Sequence, residues 1–443
     1  MIQTLNRTLF RTVAVAALAG SLLGFDTAVI SGATQSLVTE FKLSSGQLGL
    51  TVSSALWGTV LGAIAAAPLG RRLGGKVSLL ILAGCYLVSA LGAALSVSWI
   101  SFIVSRFVGG LGMGGSSVIA PVYIAEVSPT TWRGRLVGAF QINIIGGVLL
   151  AYLSNYVIGL FSLGPLEWRC QFSVAAAPAA LFLIMLCSNP PSARWLAIRG
   201  RTQEAVEVLR RLGSPSPSAE LAEILASFSE DSGPQADRLL QWRYRRPIIL
   251  ALSLAMFNQL VGINAVLYYL NDIFAMDGFD RTSQNLQAVA VGGVMLISTA
   301  CALAVIDQYG RRTLLLTGSV GLGICLLGIT IIFNSHGHEH WLLPLIIGFV
   351  ASFSFSQGAV IWVYLSEIFP PHVRAQGQSL GCSTHWIMNA LVSGFFPLIA
   401  AHSHSGPFVF FLFMVVLQFL TVLAFFPETS GVSLEDMRRR LAS

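Results

Sequence analysis

Along almost its whole length the chain alternates apolar stretches of about 20 residues with short polar punctuation. Wound as a helix at about 1.5 Å per residue, such a stretch crosses the roughly 30 Å of hydrocarbon in a bilayer. The pattern predicts spans near 11 to 32, 47 to 69, 77 to 97, 100 to 125, 135 to 158, 169 to 188, 246 to 275, 285 to 306, 313 to 333, 341 to 369, 374 to 401 and 407 to 426. One long polar segment, about Arg194 to Arg246, divides them six and six. Within it, Thr202 to Leu212 and Pro217 to Phe228 place apolar residues at helical spacing among charges, and Ser216 before Pro217 reads as a cap and first helical position. The expected fold is an all-α membrane protein of twelve transmembrane helices. Its expected parts are an N-terminal six-helix bundle over 1–193, an intracellular helical linker over 194–245, and a C-terminal six-helix bundle with a short tail over 246–443.

Composition supports a bilayer as the natural solvent. The chain is 54% hydrophobic and only 10% charged, too little polar surface to clothe a water-soluble globule of 443 residues. Arg7 and Arg11 before the apolar run Thr12 to Leu23 resemble a secretory signal, but eleven further spans follow, so this segment reads as the first membrane helix.

Charge sets the expected orientation. Threading the spans in alternation leaves Lys42, Arg169 and Arg281 on one side and Arg106 inside a span; the other 22 of the 26 Lys and Arg residues fall on the opposite side, which should be the cytoplasm. Both termini are then cytoplasmic. The net charge of +6 follows from this asymmetry and is not a nucleic-acid footprint.

Several tempting signals carry little. Cys85, Cys170, Cys187, Cys301, Cys325 and Cys382 show no paired spacing and read as small buried hydrophobes. Gly110-Leu-Gly-Met-Gly-Gly115 fits a dinucleotide fingerprint in form, but lies in an apolar span without a preceding strand, so close helix packing explains it better. His336-Gly-His-Glu-His340 sits in a short outer loop without a scaffold for a metal. Neither a metal nor a cofactor is expected, no nucleophile and base arrangement emerges, and the chain does not read as an enzyme.

The halves repeat one another. Tyr123-Ile-Ala-Glu126, with Arg133 seven residues after the Glu, recurs as Tyr364-Leu-Ser-Glu367 with Arg374 seven after. Gly74 in Leu-Gly-Arg-Arg-Leu-Gly-Gly-Lys corresponds to Gly310 in Ile-Asp-Gln-Tyr-Gly-Arg-Arg-Thr. Two related bundles are a device for exposing a site to each side in turn.

Polar residues inside the spans suggest what that site takes. Gln141, Asn258, Gln259, Asn264 and Asn389 supply neutral amides, and Trp362, Trp386, Tyr268, Tyr269 and Phe25 supply aromatic faces. Such a set suits an uncharged, hydroxyl-rich solute with apolar ring faces, a sugar above all. Helix-to-helix bonding is the alternative use of the same amides. Gln259 and Asn264, five apart, diverge by about 140° on an ideal helix and can face one cavity only if the helix breaks, which Gly262 permits. Asp26 and Arg106 lie in otherwise apolar spans, where each alone would cost about 3 kcal/mol or more. A mutual pair is expected, either as a static tie between helices or as a proton-responsive couple. Glu126, Arg133, Glu367 and Arg374 stand at the cytoplasmic ends of spans, and their mirrored repetition favours gating over simple solvation.

Four motifs in combination resemble the sugar porters of the major facilitator superfamily, over nearly the full length. They are Gly24-Phe-Asp-Thr-Ala-Val-Ile-Ser-Gly32; Pro121-Val-Tyr-Ile-Ala-Glu-Val-Ser-Pro129 with Arg133-Gly134; Asn258-Gln-Leu-Val-Gly-Ile-Asn-Ala-Val-Leu-Tyr-Tyr269; and Pro427-Glu-Thr-Ser-Gly431. The resemblance implies a monosaccharide as partner, with Gln141, Asn258, Gln259, Asn264, Trp362, Trp386 and Asn389 against it, in a monomer embedded in the inner membrane. Proton-linked members carry Asp at the place of Asp26, which implies a proton as coupling ion. It also implies a cytoplasmic gate of Glu126, Arg133, Glu367, Arg374, Asp307 and Arg311. The chain departs from the pattern at Arg71 and Gly75 in the first-half loop, at Pro190-Pro-Ser-Ala-Arg194, which lacks its Glu, and at Asn258 and Met295. The first-half lock is thus expected to be weaker or wired differently. A facilitative uniporter and a sugar sensor are the competing readings. A drug exporter is disfavoured, because Gly146-Gly147 replaces the Gly-Pro element of such antiporters.

Overall fold

A computed structural model describes residues 6–129, 132–231, 239–276, 281–335, 339–370 and 373–430, and every regular element among them is helical. Helix α1 (Arg7–Ala28) starts where Asn6 Oδ1 accepts the Leu9 amide at 2.7 Å, a side-chain cap on an otherwise orphan donor. A 3-10 turn leads into α2 (Thr34–Phe41). Helix α3 (Ser45–Ala94) runs 50 residues, more than twice a bilayer's thickness, and is interrupted at Gly74, where φ is 78° and ψ 162°. It therefore supplies two crossings, and the eleven long apolar helices amount to twelve.

Helices α4 (Trp99–Val127) and α5 (Arg133–Gly159) are the fourth and fifth crossings; α6 (Glu167–Val174) and α7 (Ala176–Cys187) form the sixth. The polar segment folds as α8 (Ala193–Ile198), α9 (Thr202–Arg211) and α10 (Pro217–Asp231). In α9 the residues at helical spacing, Ala205, Val208 and Leu209, are buried, as their periodicity requires. The seventh crossing is α11 (Arg245–Leu260) with α12 (Ile263–Tyr268), and α13 (Leu270–Met276) continues beyond it. There follow α14 (Arg281–Tyr309), α15 (Arg311–Ser335), α16 (Leu342–Phe355) with α17 (Gln357–Glu367), α18 (Arg374–His402) and α19 (Gly406–Phe425). Boundaries sit within a few residues of those read from hydropathy, except that the seventh crossing ends near Tyr268 rather than 275.

The chain divides into two compact units that cut across chain order. The first comprises Met1–Val29, Trp57–Ala151 and Trp168–Gln235; the second comprises Ile30–Leu56, Tyr152–Glu167 and Ala236–Ser443. The later part of the first span, the start of the second and the end of the fifth thus pack with the last six spans.

In the first unit small residues let backbones meet. A Cβ at Gly24 would lie 1.8 Å from the Ile144 carbonyl oxygen, and one at Gly114 would lie 1.9 Å from that of Thr59. The Gly110–Gly115 run is therefore a packing surface of α4, not a nucleotide fold. Cys187 and Cys301 are exposed on their helices and the other four cysteines are only half-buried, which corrects the expectation that they are buried.

Candidate functional site: an amide and aromatic cluster, a buried ion pair and two repeated helix ends

The seventh crossing positions the amides. Helix α11 stops at Leu260, Gly262 adopts the left-handed φ of 90°, and α12 restarts at Ile263. Only glycine fits there, since a Cβ would come within 2.3 Å of the Phe411 ring. Across this break Asn264 Nδ2 donates to Gln259 Oε1 at 2.8 Å, so residues that a continuous helix would hold apart meet. Gln259 Nε2 lies 3.0 Å from Asn258 Oδ1 and 3.2 Å from His385 Nδ1. The His385 ring is 5.2 Å from both the Trp362 and the Trp386 ring; Trp386 is buried and Trp362 exposed. Asn389, fully buried, donates to the Tyr268 hydroxyl at 3.1 Å and accepts from Ser393 Oγ at 3.2 Å.

Six of the named residues in the second half thus form one neighbourhood: three linked amides, two indoles and an imidazole between them. It offers donors, acceptors and apolar faces without a formal charge, which is chemistry for hydroxyls and sugar rings rather than for ions. Asn389 is a step removed, with its amide engaged by its own helix and α12. Gln141 belongs to the other unit, half-buried on α5 two residues before Asn143, whose Oδ1 accepts from Ser21 Oγ at 2.9 Å. Met295 is half-buried on α14.

In the first unit Asp26 and Arg106 meet as charge economy predicts. Arg106 Nη1 donates to Asp26 Oδ1 at 2.5 Å and Nη2 to the Asp26 carbonyl at 3.1 Å, while the guanidinium carbon lies 5.4 Å from the Phe172 ring centre. Both residues are buried, at 7% and 2% exposure. Asp26 Oδ2 and Arg106 Nε have no hydrogen-bond partner among the described residues. The pair is therefore tight but incompletely satisfied, with one carboxylate oxygen buried and unpartnered among the described residues.

The sequence repeat has a structural counterpart within each unit. Gly74 and Gly310 share a left-handed backbone, with φ of 78° and 80°. The buried Tyr123 and Tyr364 donate to the carbonyls of Pro190 at 2.5 Å and Pro427 at 3.2 Å. Glu126 bonds the Ser192 side chain, and Glu367 accepts from Thr429 Oγ1 at 2.6 Å.

The two ends then diverge at the positions where the sequence departs. In the second half Arg311 Nη2 donates to Glu367 Oε1 at 2.9 Å, and the Glu428 carboxylate accepts the amides of Arg311 and Arg312 at 2.8 and 3.0 Å, capping α15. In the first half Gly75 stands at the place of Arg311 and lies against the Tyr123 ring, and Pro191 stands at the place of Glu428. Instead, side chains of α8 and of the residue that ends it bind the helix end: Trp195 Nε1 donates to the Arg71 carbonyl at 3.3 Å, Arg199 to that of Arg72 at 2.9 Å, and the Trp195 ring covers Gly74.

Arg374 Nε donates within its own unit to the Phe369 carbonyl at 3.4 Å. The side chains of Arg133 and Asp307 lie outside the described residues, as do His336 and His338. Among the described residues no group of three or more His, Cys, Asp or Glu side chains could hold a metal.

Residues 12–441 match the family described as Sugar (and other) transporter. The chain is a member of that sugar transporter family. It is 33% identical to the D-xylose-proton symporter of Escherichia coli, over 97% of this chain and 95% of that one. It is 34% identical to the glucose transport protein of Synechocystis, covering 96% and 95%. The inward open structure of the xylose transporter XylE from E. coli superposes with a TM-score of 0.87 at 32% identity, covering 98% of this chain and 99% of that one. The sugar transporter described here accordingly has the twelve-helix major facilitator fold, is a multi-pass membrane protein and is not an enzyme.

Two participants of this transporter's cluster carry little signal in the sequence. His385 and Tyr268 carry no helical signal that separates core packing from lining; only the fold brings His385 onto Gln259 and Tyr268 onto Asn389. Helix α8 falls at the start of the helical linker expected over 194–245 but has no sequence signal of its own, because six residues are too few to display a periodicity.

Proposed function

We propose that the protein imports a monosaccharide, a hexose or a pentose, together with a proton by alternating access across the cytoplasmic membrane, with both termini inside. The observation that carries the reading is the buried Asp26–Arg106 pair, in which Asp26 keeps one oxygen unpartnered. Protonation of Asp26 removes the charge that holds Arg106, so occupancy by a proton and the arrangement of α1 and α4 are linked.

The sugar is assigned to the uncharged amide and indole cluster of Asn258, Gln259, Asn264, Trp362 and Trp386, with Asn389 and Gln141 as further contacts. The relatives include a D-xylose-proton symporter, which supports both partners. The helix ends at Glu126, Arg133, Glu367, Arg374, Asp307 and Arg311 are assigned to the cytoplasmic gate. Uptake into proteoliposomes under an imposed pH gradient, with a panel of labelled pentoses and hexoses, tests the assignment. Accumulation above equilibrium that collapses with the gradient, together with external alkalinisation on sugar addition, is the expected result. Equilibration alone would make the protein a uniporter.

A further inference from the structure

One titratable group has no part in that scheme. Asp272 lies on α13, beyond the seventh crossing, and faces α2, the continuation of the first. The side chains of Thr34 and Gln35 hydrogen-bond its carboxyl. The residue as a whole is only partly covered, yet Oδ2 is shut off from water and has no hydrogen-bond partner among the described residues.

Around it the elements are drawn close. Tyr152 donates its hydroxyl to the Leu267 carbonyl at 3.0 Å, and Asn271 Nδ2 donates to Asn285 Oδ1 at 2.6 Å. A Cβ at Gly32 would fall 2.5 Å from Asn155 Nδ2. All these residues belong to the second unit, so the ends of spans one, five and seven share one seam.

The charges near Asp272 are few. On α2 the charged residues are Glu40 and, at its end, Lys42, both exposed. On the elements beside α13, Tyr269 is the phenol that senses the Asp272 charge, Tyr268 is buried next to it, and Glu167 is buried at the start of α6. Among the described residues no Lys or Arg contributes to holding the carboxylate ionised.

We propose that Asp272 is a second proton-binding carboxyl of the transporter, whose protonation accompanies closure of the seam between α2 and α13. The inference rests on the reading that the protein alternates between states with a proton bound. In the packed seam burial disfavours the ionised Asp272, whose Oδ2 would face no donor, more than the bonds from Thr34 and Gln35 to its carboxyl favour it. Burial pushes the carboxyl up to about 7. Once the seam parts, water returns it toward the ordinary carboxylate range. The packed seam is therefore favoured fully below that ordinary range, loses its advantage as pH rises, and has lost it above about 7. The packed-to-open ratio changes by up to about tenfold per pH unit within that window. With α2 on the outer side, a proton arriving from outside favours closing the outer end, the order an importer needs.

The test uses the full chain in proteoliposomes, its six native cysteines replaced and a single cysteine placed at Leu37, which is fully buried on α2. Its reaction with an impermeant maleimide is measured from pH 5 to 8 and normalised to a cysteine at the exposed Lys42. Labelling should rise by up to about tenfold per pH unit and level off above 7. Asp272→Asn, a stand-in for the neutral acid, should stay slow and flat with pH; Asp272→Ala, which cannot bond Thr34, should be fast throughout. In an Asp26→Asn background the slope should persist, which separates this carboxyl from the coupling pair. An unchanged slope in Asp272→Asn overturns the proposal, as does a slope abolished by Asp26→Asn alone; the second result would leave the coupling role of Asp26 standing.

Discussion

Asn264 reaches back across five residues to give its amide hydrogen to Gln259 Oε1 at 2.8 Å, and it does so only because Gly262 breaks the helix between them. The contact arranges two carboxamides as a preformed pair, each with capacity left for a hydroxyl. Gly262→Ala would force a Cβ into the left-handed region and against Phe411, costing about 1–3 kcal/mol in strain alone. Sugar affinity should fall by at least tenfold and the thermal midpoint should drop, both measurable on purified protein by binding calorimetry and thermal unfolding. Wild-type affinity in this variant would detach the helix break from binding.

Gln259→Ala and Asn264→Ala probe the same pair without the strain. Each removes a group worth about 1–1.5 kcal/mol to a bound hydroxyl, so KM should rise about tenfold for either. The double variant should cost less than the product of the two, because the residues already bond one another. Strict additivity in KM would mean that the two amides act on separate things.

The coupling pair gives a prediction whose two halves have different readouts. Asp26→Asn keeps an oxygen for Arg106 Nη1 but can no longer gain and lose a proton; uphill accumulation should disappear while sugar counterflow persists. Asp26→Ala leaves the buried guanidinium unpaired, at a cost of about 3–5 kcal/mol, and should lower the thermal midpoint as well. Unchanged uphill uptake in Asp26→Asn would remove the proton role.

How much of this was legible in the chain follows from the range of each signal. The crossings were readable because twenty apolar residues in a row have one physical use, and Gly262 because two amides of one motif lie on opposite faces unless something bends. The Asp26–Arg106 pair followed from the cost of either charge alone. Trp195 on Gly74 did not, since it joins positions more than a hundred residues apart through a helix of one and a half turns. Nor did the compact units: that Ile30–Leu56 packs with the last six spans depends on the packed fold, not on any stretch of sequence.

The asymmetric helix ends predict unequal sensitivity. Glu428 accepts four backbone amides, those of Arg311, Arg312, Thr429 and Ser430, and Arg311 bridges from that cap to Glu367. Glu428→Ala should therefore destabilise the second half by about 1–3 kcal/mol through lost capping and unsatisfied donors. At the matching place in the first half Pro191 holds no such cap, and the load passes to α8; Trp195→Ala should be the damaging change there. Thermal unfolding of Glu428→Ala, Pro191→Ala and Trp195→Ala separates these, with the middle variant close to wild type.

His385 offers the sharpest division between lining and packing. Its ring stands between two indoles and within 3.2 Å of Gln259 Nε2, so it both orients the amide and presents a nitrogen of its own. If that nitrogen meets the sugar, His385→Gln should hold KM within a few-fold of wild type, because an amide replaces both functions. His385→Phe, which keeps the ring and its stacking but no polar atom, should raise KM about tenfold at nearly constant maximal rate, the signature of a lost hydrogen bond made equally in ground and transition states. Packing alone predicts the reverse order, with Phe tolerated and Gln destabilising. Uptake kinetics and a thermal midpoint for the two variants decide between them.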